Sequence, residues 1–298
     1  MSRIAGALLA ERVQGEIADS APLLGRPAVL RARLAEHGHV LLRGLLPAAR
    51  VLAARGEVLA ALRAVDEVAG EDAAPVATGR SSRTALPDLG AFWRGVCEGP
   101  ALRAAVHHPR LRAAAAMLLG TAVVPFDFVW LRAMAPGRAS PFHLDHPYMN
   151  RGSERLLTAW VPLGEVRAED GPVALVEGSH RWDDIAARVR GRDVDREAGF
   201  NASFAEDIPA LAASRGARIL SAAFRPGDVL LFDMFLLHGS LDNAAADGRV
   251  RLSADVRLQA AADARDDRWF GHPPPGHGGR SYAGLSGAQP LTAAPIIR

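Results

Sequence analysis

The sequence predicts a mainly β fold with helices: a jelly roll packed on N-terminal helices, forming one domain over residues 1–298. Two observations carry this. Up to residue 120, Ala, Leu, Val and Arg recur largely at helical spacing. From residue 121, short runs rich in Val, Leu, Phe and Trp alternate with Gly, Pro and Asp turns, as in a sandwich or barrel. The expected layout is helical support over 1–120, a jelly-roll core over 121–260 and an irregular tail over 261–298.

The N-terminal twenty residues, interrupted by Glu11, Arg12, Glu16 and Asp19, read as an amphipathic helix and not as a secretion signal. Pro27 opens a helix that Gly38 closes. His39–Gly44 reads as a short strand, 48–69 as helix, 71–91 as loop and Pro109–Gly120 as helix. Strand-like runs follow at 122–134, 156–163, 173–177, 217–224, 228–237 and 249–259. The polar stretch 183–215, with a helix inside it, looks like an insertion between strands. The tail, rich in Gly, Pro, Asp and His, is expected to cover a site mouth.

Composition excludes several classes. Hydrophobic residues make up 49% and charged residues 23%, which suits a globular core. No apolar run reaches the roughly 18 residues of a membrane span. Cys97 is the only cysteine, so internal disulfides and thiolate zinc clusters are ruled out and a reducing cytoplasm fits. All 35 basic residues other than histidine are arginine. A chain without lysine cannot be a P-loop NTPase or use a Schiff-base lysine for pyridoxal phosphate. The pI of 9.3 accompanies a formal charge of only +2, and no basic run is interleaved with aromatics, so nucleic-acid binding is not expected.

The chemistry concentrates at His143-Leu144-Asp145 and at His238. Ten histidines and 33 acidic residues in 298 positions supply about one His-x-acid by chance, so the triplet alone means little. On a strand, however, His143 and Asp145 would share a face and reach one ion together. His238 ends a buried apolar run after the turn Pro226-Gly227-Asp228. Such a histidine is more often packed in a core than a ligand, but two imidazoles and a carboxylate also make the three-ligand face of non-haem Fe(II) oxygenases. Arg249, Arg251, Ser253, Asp255 and Arg257 alternate with apolar residues. That stripe is either a solvated face or a barrel interior in which an arginine fork grips a carboxylate. If the strand at His143 continues, Tyr148 and Asn150 lie on the ligand face and His146 on the other. All three, with Arg132 on the preceding strand, are candidates for contact with substrate, set against ordinary packing or, for Arg132, an acidic neighbour.

Several segments together resemble the phytanoyl-CoA dioxygenase family of Fe(II)/2-oxoglutarate oxygenases: EHGHVLLRGLLP, the HLD triplet, TAWVPL, GPVALVEGSH and the block from Pro226 to Arg249. The resemblance implies a double-stranded β-helix, cupin-like core, with Fe(II), 2-oxoglutarate and O2 as cofactor and cosubstrates. His143, Asp145 and His238 match the family's iron ligands. Arg249 has the spacing of its 2-oxoglutarate arginine, and Arg251 aligns comparably with some members. Ser240 and Trp160 match positions lining the cosubstrate pocket, and Asn243 a recurring turn asparagine. Halogenating members lack the carboxylate, so Asp145 points away from halogenation.

The expected reaction is oxidation, foremost hydroxylation, of an unactivated C–H in a small metabolite or biosynthetic intermediate, releasing succinate and CO2. No lysine-rich patch suits a CoA phosphate, which argues against a CoA ester. Two competitors stand beside it. One is a cupin-type metal-dependent hydrolase or isomerase that uses the same ligands without 2-oxoglutarate; the other is a non-catalytic jelly-roll binding protein. Oligomeric state is not legible.

Overall fold

The computed structural model describes residues 2–204, 206–284 and 290–292. The rest of the expected tail, 285–289 and 293–298, lies outside the described residues.

Five helices support the core: α1 (Pro27–His37), α2 (Ala48–Ala64), α3 (Leu89–Cys97), α4 (Pro100–Val106) and α5 (Pro109–Leu119). Proline starts α1, α4 and α5, where its missing N–H costs nothing. Gly38 and Gly120 close α1 and α5 in the left-handed region, at φ 73° and 67°.

Ten strands form two sheets: β1 (Gln14–Glu16), β2 (His39–Leu42), β3 (Val123–Pro125), β4 (Trp130–Met134), β5 (Leu156–Pro162), β6 (Val173–Val176), β7 (Ile219–Ser221), β8 (Val229–Asp233), β9 (His238–Ser240) and β10 (Arg251–Ala260). The larger sheet runs β2-β8-β5-β10-β3, with β4 also pairing β10; the smaller runs β9-β6-β7-β1. All pairings are antiparallel except β7 with β1. The expected strands are present, mostly trimmed at their ends, except that the run 122–134 divides into β3 and β4.

Strand alternation sorts the side chains. Leu41, Trp160, Leu230 and Phe232 from the large sheet meet Val173, Leu175 and Leu220 from the small one, forming a core between the sheets. Val40, Leu42, Ala159, Val161, Leu231, Val256 and Leu258 point the other way, into the core shared with the helices. The helices therefore cover one side of the larger sheet and leave its opposite face to line a chamber. This is a cupin-like arrangement, and its sheets do not close into a barrel among the described residues.

Two expectations fail here. The described residues among the N-terminal twenty form no α-helix, only a 3-10 turn at Glu11–Val13. Arg3–Ile4 and Ala7–Leu8 make a hairpin, and β1 adds to the smaller sheet. The cause is tertiary: the turn at Ala5-Gly6, with Gly6 at φ 82°, donates both backbone N–H groups to the Asp242 carboxylate at 3.0 and 2.7 Å. The second concerns the HLD triplet. The chain does not continue as a strand; Asp145, at φ −73° and ψ −25°, opens a single helical turn at His146–Met149. Pro147 just inside that turn is a helix-starting signal that strand parity ignores.

Candidate metal centre

His143 and His238 face each other as an antiparallel bridge: the His143 N–H donates to the His238 carbonyl at 2.8 Å, and the reverse bond is 3.1 Å. Such a pair places both side chains on one face, and their ring centres are 4.3 Å apart. The turn at Asp145 is pinned by its N–H to the Met234 carbonyl at 3.0 Å, which brings its carboxylate beneath the rings. Asp145 Oδ1 lies 3.7 Å from His143 Nε2 and 3.9 Å from His238 Nε2. The three ligand-type atoms lie within 4.8 Å of one another. Leu144 points away and is fully buried.

The donor chemistry fits a divalent cation. Each ring's Nδ1 sits 2.9 Å from a backbone carbonyl, Pro141 for His143 and Leu236 for His238. A carbonyl only accepts, so Nδ1 carries the proton and each Nε2 presents a lone pair to the centre. Burial first, then the neighbouring His143, pushes His238 down to about 3, so it is neutral at physiological pH. Burial alone would raise Asp145, but Arg257, then His238 and His143, hold it well below the usual carboxylate range. Its oxygens accept from Arg257 Nη2 at 3.0 and 3.1 Å and from Thr158 Oγ1 at 2.5 Å. Sequence reading placed Arg257 in the alternating stripe without a role and passed over Thr158. Their register is the missing information, since they sit directly opposite each other in the β5–β10 ladder.

A cavity adjoins the cluster, lined by Arg132, His143, Trp160, His238, Ser240, Arg251 and Asp255. The β10 stripe is therefore interior: Arg251, Ser253, Asp255 and Arg257 are all buried. Arg251 has Nη1 on Ser253 Oγ at 2.6 Å, while its buried Nε has no partner. Burial, then the nearby Arg132, lowers it to about 10. Arg249 lies outside the cavity lining; its Nη2 donates to the Glu165 carbonyl at 3.1 Å, and Asp170 lies 3.6 Å from its Nε. Ser240 Oγ accepts from the Ser140 N–H at 2.8 Å, and the Trp160 ring centre is 5.9 Å from the Arg251 guanidinium carbon. Arg132 meets an acidic neighbour, Asp255, at 3.0 Å. Within the chamber the guanidiniums of Arg132, Arg251 and Arg257 face the carboxylates of Asp145 and Asp255, leaving one positive charge in excess.

The residues after Asp145 follow the helical turn. Tyr148 places its ring edge-on to His143 at 5.8 Å and also touches His277 of the tail at 5.7 Å. His146 is buried away from the cluster, stacked on Phe235 at 4.7 Å with Nε2 3.2 Å from Glu154. Asn150 donates to the Arg192 carbonyl in the 183–215 segment. Asn243 ties a turn, donating to the Met134 and Arg249 carbonyls at 2.9 Å.

A cupin-like chamber with two imidazoles, one carboxylate and an excess of arginine offers the donor set of a non-haem iron centre. The chain belongs to the phytanoyl-CoA dioxygenase family, whose sequence model matches residues 34–250. It is an Fe(II)/2-oxoglutarate-dependent oxygenase, working with Fe(II), 2-oxoglutarate and O2. Among curated relatives it is similar to 1-deoxypentalenic acid 11-beta-hydroxylase of Streptomyces arenae, 27% identical over 271 residues that cover 84% of this chain and 87% of that protein. Among solved structures, EctD from S. alaskensis with 2-oxoglutarate and 5-hydroxyectoine aligns with a TM-score of 0.55 at 22% identity, covering 99% of this chain and 94% of that one. The non-heme alpha ketoglutarate dependent carbocyclase SnoK from nogalamycin biosynthesis aligns at 0.53 and 23%, covering 84% and 89%. At these identities the structural likenesses speak for the fold.

Proposed function

We propose that the protein hydroxylates an unactivated C–H of a small metabolite or biosynthetic intermediate, with His143, Asp145 and His238 holding Fe(II) and Arg251 holding 2-oxoglutarate. The observation that carries this is the convergence of three ligand atoms beside a cavity that ends on a buried, under-bonded arginine. Hydroxylation is favoured because the similar curated protein is named a hydroxylase of a small acid.

Bound together, Fe(II), 2-oxoglutarate and O2 supply the oxidant and release succinate and CO2. The chain's own residues do the rest. Pro141 and Leu236 carbonyls hold the Nδ1–H of each ring, so that the neutral imidazoles would present Nε2 to the metal. Arg251 offers a planar fork to the distal carboxylate of 2-oxoglutarate, with Ser240 and Trp160 as the walls of that subsite. Arg251 is favoured over Arg249 because Arg249 is committed to Glu165 and Asp170 outside the cavity. The Arg132–Asp255 pair closes the chamber wall and leaves Arg251 as the cation in need of an anion. Tyr148 stands beside His143 where a substrate would approach, with His277 of the tail over it; His146 and Asn150 serve packing. The single-domain organisation over 1–298 and a small-molecule substrate belong to the same proposal.

The test is a screen of small carboxylic acids for succinate release, followed by mass spectrometry of the product under isotopically labelled O2. One labelled oxygen per succinate in the product is expected. Succinate formed with a desaturated or cyclised product and no label would overturn hydroxylation.

A further inference from the structure

The two oxygens of Asp145 stand in different surroundings. Oδ1 faces the imidazoles, 3.7 and 3.9 Å from their Nε2 atoms. Only Oδ2 takes Thr158 Oγ1–H, at 2.5 Å, while Arg257 Nη2–H is shared between the two oxygens, 3.0 Å from Oδ1 and 3.1 Å from Oδ2. A carboxylate oxygen has two in-plane lone pairs; on Oδ2 one is taken by Thr158 and the other faces the shared Arg257 Nη2. Asp145, Thr158 and Arg257 are buried, so water does not compete for these bonds.

The support is built into the sheet. Arg257 and Thr158 are directly opposed in the β5–β10 ladder and project to the same inner face. The guanidinium carbon lies 4.0 Å from the centre of the Trp130 ring, a cation–π contact that helps fix its place. Among the described residues the group's Nε and Nη1 have no hydrogen-bond partner, so its hydrogen bonds converge on the Asp145 carboxylate, with Asp255 Oδ2 3.9 Å from Nη1.

We infer that Thr158 and Arg257 are positioning residues that hold Asp145 as a one-oxygen donor. This rests on the ligand assignment proposed above. A facial triad leaves three of six positions open, and a chelating keto acid together with O2 needs all three. If Oδ2 swung onto the metal, the carboxylate would take one of them, and 2-oxoglutarate would have to displace it. Charge neutralisation alone would require Arg257; it would not require the hydroxyl of Thr158, which brings no charge of its own.

The test uses the full-length chain with Co(II), which reports coordination through its visible absorption without turning over. Wild type, Thr158→Val and Arg257→Lys are titrated first with Co(II) and then with 2-oxoglutarate, and the melting temperature of each is recorded. Thr158→Val keeps shape and charge. The expected result is near-unchanged Co(II) affinity, an altered absorption envelope before 2-oxoglutarate is added, and about a tenfold weaker 2-oxoglutarate dissociation constant. Arg257→Lys, retaining charge but not the fork, should show the same change in milder form. The inference is overturned if folded Thr158→Val matches wild type in spectrum and 2-oxoglutarate affinity. It is equally overturned if both variants lose stability and metal affinity together while 2-oxoglutarate binds the loaded protein normally. Wild type failing to bind Co(II) would sink the ligand assignment itself, an outcome visible before any variant is made.

Discussion

Replacing Arg251 by glutamine should separate cosubstrate binding from folding. Arg251 is buried, yet among the described residues only one of its nitrogens has a hydrogen-bond partner, Ser253 Oγ at 2.6 Å, and its Nε is left unpaired. A charge-assisted hydrogen bond contributes about 1.5–3 kcal/mol, more so where water is excluded. Losing a two-pronged grip on a carboxylate should therefore cost about 3 kcal/mol, roughly a hundredfold in the 2-oxoglutarate dissociation constant. The same change removes a poorly compensated buried cation, so the melting temperature of the ligand-free protein should hold steady or rise. Arg249→Gln is the control, because that side chain is engaged by Glu165 and Asp170 away from the cavity. It should leave 2-oxoglutarate affinity within about twofold. The assay is anaerobic isothermal titration of metal-loaded protein, with thermal melts alongside. A hundredfold loss in Arg249→Gln with wild-type binding in Arg251→Gln would refute the reasoning and return the role to Arg249.

Three further outcomes are expected. Asp145→Ala should lose Fe(II) and also about 3–5 kcal/mol of stability, because Arg257 is left as an unpaired buried charge, whereas Asp145→Asn should lose metal with a smaller drop in melting temperature; equal melting of the two variants would contradict this. Arg268 joins Asp195 at 2.6 Å and Asp266 at 2.5 Å, tying the tail to the 183–215 segment, and Arg268→Leu should cost about 3 kcal/mol and speed proteolysis within the tail; wild-type cleavage kinetics would count against it. The metal-free protein should also lose stability in mild acid. Burial first holds His39 and His107 at about 4, and His238 at about 3. Each value lies below that of the unfolded chain, so the unfolded state takes up protons first. This stability is fully present above about pH 6.5 and falls toward pH 4 by up to about 1.4 kcal/mol per unit for each histidine. Denaturant midpoints between about pH 7.5 and 4.5 measure it, and a flat profile would contradict the burial argument.

Strand positions were legible because Val, Leu and Phe runs between Gly and Pro turns carry their own punctuation. The three ligand-type residues were legible for a different reason: two of them sit within a tripeptide and the third ends a buried strand. The strand assumed beyond Asp145 gives way to a proline-started turn; Tyr148 still lies beside His143 and His146 still faces away, but by helical geometry, and Asn150 is drawn instead to the Arg192 carbonyl. The N-terminal hairpin depends on Asp242, far along the chain, and no local signal announces that contact. The stripe from Arg249 to Arg257 showed its alternation in the sequence, but only the packing of β10 between β4 and β5 makes it interior. The choice between Arg249 and Arg251, and the pairing of Thr158 with Arg257, are matters of register, which a single sequence does not encode locally.

The most direct test of the central claim is anaerobic titration of the apoprotein with Fe(II) and then 2-oxoglutarate, following the weak visible metal-to-ligand charge-transfer band. The account predicts that the band appears with one equivalent of each and is absent in His238→Ala. Fe(II) binding without a band on addition of 2-oxoglutarate, or an undiminished band in His238→Ala, would contradict it.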